Sequence, residues 1–184
     1  MDFTEKKVDE TYCFRGRIIN TRVDNIILPN GKPSMREVCE HPGGVGVLPI
    51  WDDGTVTLVR QFRYPFGETM LEIPAGKLDH GPDEDHYTCG VRELKEETGC
   101  TADEVIYLGC IYPSPGFCDE ITHLYAARGL HQAEVQLDEG EFLELIRMPS
   151  DELEQHIADG EVRDAKTVAA MYYARIKGLL EERR

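Results

Sequence analysis

The chain has no apolar run near the ~20 residues that a membrane span needs. Its first residues, Met1 to Lys7, carry no signal-peptide-like apolar stretch. Both absences point to a cytoplasmic protein that does not engage membranes. Positive charge is scarce too: 20 Lys and Arg stand against 35 Asp and Glu, for a net charge of −15. A surface so acidic disfavours sequence-independent binding of nucleic acid or anionic lipid, both of which require positive fields. It leaves room for small phosphorylated ligands, whose charge a divalent cation can offset. No C-x-x-C pair occurs among the six cysteines Cys13, Cys39, Cys89, Cys100, Cys110 and Cys118, and none has a histidine at zinc-ligand spacing. They read as reduced, mostly buried thiols. Internal repeats, low-complexity tracts and long linkers are also missing.

What is present suits a folded chain. Hydrophobic residues make up 41 %, and 184 residues suffice for one domain with a small appended element. Residues 14–28 alternate loosely and read as one or two strands, with turn signals at Asp24-Asn25 and Pro29-Asn30-Gly31. Arg36 to His41 reads as a further strand. Val45 to Trp51 is a buried-type strand, Asp52-Asp53-Gly54 a turn and Thr55 to Arg63 the returning strand of a hairpin. Residues 104–112, 121–128 and 141–148 complete the strands. Three helices are expected. One spans Glu84 to Thr98 with Gly99 ending it, one starts at an N-capping Ser150, and one runs from Asp164 to Glu181. The stripe Tyr87, Val91, Leu94, Thr98 predicts the packed face of the first. Val168, Met171, Tyr172, Ile176, Leu179 and Leu180 predict that of the third. Strands interleaved with few helices predict a mixed α/β/α sandwich.

The chemically informative stretch is Gly76 to Cys100, GKLDHGPDEDHYTCGVRELKEETGC. Glu93, Glu96 and Glu97 fall at i, i+3 and i+4 of the first helix, so they share one face. Like charges so spaced destabilise a helix slightly unless solvated or neutralised by a cation. Carboxylate oxygens suit Mg²⁺ or Mn²⁺ rather than zinc or copper. By itself such a cluster is common and reads first as an ordinary charged surface helix.

Its surroundings are more specific. Arg92 to Cys100 resembles the second half of the Nudix box, R-E-U-x-E-E-x-G-U with U aliphatic. Glu84 stands eight positions before Arg92, as that motif requires, and Gly76 supplies the leading glycine. Two departures stand out. Seven residues instead of five separate Gly76 from Glu84, a two-residue loop expansion at Gly-Pro-Asp that leaves Asp83 and Asp85 as alternatives for the Glu84 role. Cys100 takes the last aliphatic position, where it serves as a small hydrophobe. The resemblance implies a Nudix-type α/β/α sandwich of mixed sheet over residues 43–184, with residues 1–42 as a small N-terminal β extension.

Carried onto this chain, the family pattern makes Glu96 and Glu97 the principal metal ligands, with Glu93 close by and the Gly76 carbonyl beside them. Glu84 and Arg92 would pair and hold the loop on the helix. Outside the box, Val59 to Pro65, Leu71 to Gly76 and Tyr112 to Phe117 resemble the ADP-ribose pyrophosphatase branch, as does Arg36-Glu37-Val38 before Gly43-Gly44-Val45. Pro115 lies fifteen positions past Cys100, where that branch places a proline. The branch implies substrate contacts from Arg36, Arg63, Glu72, Pro115 and Gly116. It implies a loop carboxylate as general base, best matched by Glu141 with Glu139 beside it; Glu96, Glu97 and Glu120 are alternatives. It also implies a homodimer in which residues 1–42 cross to the partner. The expected reaction is Mg²⁺-dependent hydrolysis of ADP-ribose to AMP and ribose 5-phosphate. Another nucleotide sugar such as GDP-mannose, or a non-catalytic ligand sensor, is the alternative. His41, His123 and His131 match no catalytic position of the family.

Overall fold

The computed structural model describes residues 1–78, 84–132 and 142–180. The chain divides into two compact units, one formed by Met1–Gly43 with Tyr112–Ile121, the other by Gly44–Ile111 with Thr122–Arg184. Among the described residues no helix is long and apolar enough to cross a membrane.

The first unit is an antiparallel sheet of β1 (Lys6–Arg15), β2 (Asn20–Ile27) and β3 (Pro33–Glu40), in that order. The β2–β3 turn is the expected one. Gly31 adopts φ 80°, a conformation open to glycine, and donates its N–H to the Leu28 carbonyl at 2.8 Å. The Asp24-Asn25 turn does not exist. Asp24 lies inside β2, buried, with Arg22 donating to its carboxylate at 2.9 Å. The chain reverses earlier instead, where the Gly16 N–H meets the Ile19 carbonyl at 2.9 Å. Residue 39 of β3 also pairs with residue 118 of the returning segment in an isolated parallel bridge.

The second unit holds two sheets and three helices. The mixed sheet runs β7 (Ala75–Lys77), β4 (Gly44–Pro49), β9 (Thr122–Gln132), β8 (Cys100–Ile111); β4 is parallel to β9 and the other pairs are antiparallel. The antiparallel sheet runs β10 (Leu143–Pro149), β5 (Thr55–Arg63), β6 (Glu68–Glu72). Every residue of β4 is buried, because the strand is covered on both faces. Val45 and Val47 pack in a cluster with Cys89 and Leu94 of α1 (His86–Thr98). Leu48 and Ile50 join Leu58, Ala170 and Met171, the last two from α3 (Ala165–Ile176). A short helix α2 (Ser150–Ala158) adds Leu153 to that second cluster. This alternation along one strand makes the unit an α/β/α sandwich. Each fully buried leucine contributes roughly 1.5–3 kcal/mol of burial.

Several local expectations are corrected. β4 and β5 do not form a hairpin; they meet only at the bridge Ile50–Val56 and diverge into different sheets. Tyr87 and Val91 are exposed, and α1 instead buries Cys89, Gly90, Leu94, Glu97 and Thr98. The reason is Gly90, where a Cβ would stand 3.0 Å from a Val45 methyl, so the helix approaches β4 on its glycine side. On α3 the small residues Thr167, Ala170 and Ala174 are buried together with Met171, which turns Tyr172 and Ile176 to solvent. Ser150 is the first residue of α2 rather than its cap, and its N–H goes to the Gly54 carbonyl at 3.1 Å. The sequence reading has no counterpart for β1, β6 or β7. Of the six thiols, only Cys89 and Cys100 are buried.

Candidate active site

The acidic helix face is built by two caps and one strand. Asp85 caps α1, accepting from the N–H groups of Tyr87 (2.8 Å) and Thr88 (2.9 Å), and Gly99 closes it at φ 65° with its N–H on the Lys95 carbonyl. Asp85 is therefore spent on the cap. Asp83 lies outside the described residues, and the partner of Arg92 is Glu84, with Nε to Oε1 at 3.1 Å. The helix starts two residues after Glu84.

Strand β7 runs beneath this face. Glu97, only 3 % exposed, accepts the Ala75 N–H at 2.9 Å. Gly76 follows, and a Cβ on it would lie 1.8 Å from Glu93 Oε1. No side chain fits there. Glycine at this position is what lets the Glu93 carboxylate lie against the backbone. The structure thus brings Gly76, Glu93 and Glu97 together despite the longer loop. Arg92 joins the rest, donating to Glu93 Oε1 and Glu96 Oε2, each at 2.7 Å. Burial opposes the Arg92 charge, but Glu96, Glu93 and Glu84 outweigh it and hold its pKa above the ordinary value.

This set suits a hard divalent cation. The donors are all oxygen, three carboxylates and a backbone carbonyl, and the glycine cradle keeps the strand close to the helix. Among the described residues, no three acidic, His or Cys side chains converge on an ion-sized point as they stand. Arg92 occupies the cationic place between Glu93 and Glu96, so loading an ion requires those two side chains to turn from the guanidinium.

A second charged group lies at the start of the same stretch. Glu72, 1 % exposed, receives a two-pronged contact from Arg63, Nε and Nη2 each at 2.7 Å, and a hydrogen bond from Lys166. Burial is the largest influence on Glu72 and pushes its pKa up. The Arg63 hydrogen bonds and the Lys166 charge together overcome it and lower the pKa to about 2. Lys166 is placed by the cap of α3, where Asp164 accepts from the Thr167 N–H at 3.0 Å and from Lys166 Nζ at 2.9 Å. The Thr167 hydroxyl in turn accepts the Ile73 N–H at 2.8 Å, tying the chain next to Glu72 to the helix.

Lys166 and Thr167 were missed in the sequence. They are 94 residues from their partners, and the one available signal was Asp164 as a cap, which places Lys166 in the first turn. Arg36, Pro115 and Gly116 belong to the other unit, where they line a groove of about 460 Å³. Arg36 is bound there by Glu5, with Nε to Oε2 at 3.0 Å. Glu139 and Glu141 lie outside the described residues. His123 stacks on His86 with ring centroids 3.9 Å apart, and burial followed by that neighbour lowers its pKa. His131 pairs with Asp103 at 2.8 Å on the surface, and His41 accepts the Gly43 N–H at 3.1 Å.

Known proteins resemble this chain along most of its length. The family model for the NUDIX domain matches residues 40–171. A protein of Bacillus subtilis (strain 168) named ADP-ribose pyrophosphatase is 42 % identical over 179 residues, 96 % of each chain. One of Bacillus methanolicus named methanol dehydrogenase activator is 41 % identical over 183 residues, 98 % of each. A crystal structure described as an ADP compounds hydrolase superposes with a TM-score of 0.83 at 23 % identity, covering 97 % of this chain and 98 % of that one, and so matches the fold. The domain match over residues 40–171, with relatives at 41 % and 42 % identity over nearly the whole chain, shows that the chain belongs to the Nudix family.

Proposed function

We propose that the protein hydrolyses the pyrophosphate of ADP-ribose, releasing AMP and ribose 5-phosphate. The observation that carries this reading is the seating of Glu93 over Gly76 with Glu97 anchored on Ala75, which lays two helix carboxylates against the β7 backbone. Glu93, Glu96, Glu97 and the Gly76 carbonyl would hold Mg²⁺, and Mn²⁺ suits the same donors. When bound, such an ion neutralises pyrophosphate charge and makes its bound water more acidic. The remaining work falls to the chain. Arg92 holds Glu93, Glu96 and Glu84 together at the start of the helix. Glu72 holds the Arg63 guanidinium in one orientation, with its exposed edge available to a phosphate or ribose oxygen. Arg36, Pro115 and Gly116 are proposed as further substrate contacts, and residues 1–42 as the element that crosses to a second copy in a homodimer.

A loop carboxylate free of metal is the better base, because metal binding weakens basicity. Glu141 is the proposed base, with Glu139 beside it. Single-turnover rates against pH for Glu141→Gln and Glu139→Gln decide between them, and wild-type rates in both would move the role to Glu120 or Glu96.

The substrate assignment is tested by kcat/KM over a panel of nucleoside diphosphate compounds with products identified. ADP-ribose is expected to rank first. A clear preference for GDP-mannose or NADH would overturn the substrate while leaving the family untouched. The near-equal identity to the Bacillus methanolicus protein favours a second reading, in which the chain activates an alcohol dehydrogenase. Adding the purified protein to a methanol dehydrogenase assay separates the two, since a plain ADP-ribose hydrolase leaves that rate unchanged.

A further inference from the structure

The first unit holds a pair of thiols that neither the family chemistry nor the groove needs. Cys39 of β3 and Cys118 of the 112–121 segment are direct partners in a parallel bridge. Backbone bonds flank the pair on both sides: the Cys39 N–H meets the Phe117 carbonyl at 2.7 Å and the Asp119 N–H meets the Cys39 carbonyl at 3.1 Å. Neighbouring strands lie ~4.8 Å apart, inside the Cα separation that a disulfide accepts. Partners in register put their side chains on the same side of the sheet, so the Cys39 and Cys118 thiols face the same way. Both residues are half-buried and reduced. Cys39 lines one groove of the unit and Cys118 another, so a small oxidant has a route to each.

We propose that Cys39 and Cys118 are a reversible dithiol–disulfide site that ties the 112–121 segment to β3. With a peroxide as oxidant, the thiolate of one cysteine attacks a peroxide oxygen. The O–O bond breaks and water departs, leaving a sulfenic acid. The second thiol attacks that sulfur, the S–S bond forms, the S–O bond breaks and a second water leaves. Two thiols and one peroxide thus give one disulfide and two waters, the sulfurs losing two electrons and the peroxide gaining them. A dithiol reductant reverses the step by exchange. Burial, followed by the facing Cys118, keeps the Cys39 thiol above its ordinary pKa, so oxidation quickens as the pH rises. The bond would fix the Pro115–Gly116 side of the 460 Å³ groove against the strand that bears Arg36.

The test uses the intact protein with hydrogen peroxide, followed by alkylation, digestion and mass spectrometry without reduction. The expected product is one intramolecular Cys39–Cys118 peptide pair, two hydrogens lighter than the sum of its parts and lost on adding dithiothreitol. Two readings that need no variant accompany it: slower hydrogen exchange at the Cys39 and Asp119 amides, and a rise in Tm of several degrees. In Cys118→Ser the crosslink must vanish. A bond from Cys39 to Cys13, which lines the same groove, would overturn the proposal. So would a disulfide between copies, or oxidation that stops at sulfinic acid with no crosslink.

Discussion

At the scale of single residues, the chain spends its charges in pairs that do two jobs. Glu97 is almost wholly buried, which is unusual for a carboxylate, and it satisfies the Ala75 N–H. Glu97→Gln keeps an acceptor for that N–H but loses the charge. On the proposed metal-ligand role, its turnover of ADP-ribose is expected to fall by at least about 10²-fold, with circular dichroism and Tm close to wild type, because the lost charge would act on the transition state. Glu72 is another buried carboxylate, and it carries a pH signature. Its folded pKa of about 2 lies below its ordinary 4.5, so its contribution to stability is complete above pH 4.5 and is lost as the pH falls toward 2. The shift corresponds to roughly 3 kcal/mol. Lys166→Met removes one of the two cations that cause it. Urea denaturation between pH 2 and 7 is expected to show a less stable variant at pH 7 whose stability falls less on acidification. Parallel wild-type and variant profiles would contradict this role for Lys166. Glu93, Glu96, Glu97, Glu84 and Arg92 were legible because they sit in a local motif. Lys166 was not, because its partner is remote in sequence and the pairing is a property of packing.

Elements place these residues, and their legibility follows how local the controlling interaction is. The C-terminal end of α1 was readable because Gly99 is a local left-handed stop; at the other end the helix starts at His86 rather than Glu84, with Asp85 supplying the side-chain acceptor. Asp85→Ala should cost about 1 kcal/mol, within the 0.5–2 kcal/mol range for caps, and lower Tm by a few degrees. It should also loosen Glu84 against Arg92, so activity is expected to fall more steeply than stability. A thermal melt alongside initial rates checks this, and a Tm unchanged from wild type would contradict the capping role. The packed face of α1 was read correctly at Leu94 and Thr98 but not at Tyr87 and Val91, because Gly90, silent in any hydrophobic pattern, sets how closely the helix meets β4. The β4–β5 hairpin was misread for a related reason. A turn at Asp52–Gly54 is the same whether the strands pair or part into two sheets, and the decision rests with β6 and β10. Short strands such as β7 carry too few residues for a period-2 signal, although β7 supplies Ala75 and Gly76 to the site.

At the scale of the whole molecule, the family follows from agreement between levels. The box spacing, the α/β/α unit, the glycine cradle and the relatives at 41–42 % identity all point the same way. The sandwich was legible because β4 is a continuous buried run and α1 and α3 are amphipathic. The division of the chain was less so, since residues 112–121 return to the N-terminal sheet through a pairing that no local pattern encodes. The acidic surface has a functional corollary. With a net charge of −15, the protein repels a pyrophosphate unless the substrate arrives with its charge offset, so binding and turnover should both depend on a divalent ion. The measurement that tests the account most directly is the initial rate of ADP-ribose hydrolysis by the intact protein as Mg²⁺ is titrated from a chelated start, with AMP and ribose 5-phosphate quantified. The account predicts no turnover without the ion and a saturable rise to equimolar AMP and ribose 5-phosphate. Turnover that persists under chelation, or none at saturating Mg²⁺ and Mn²⁺, would contradict it.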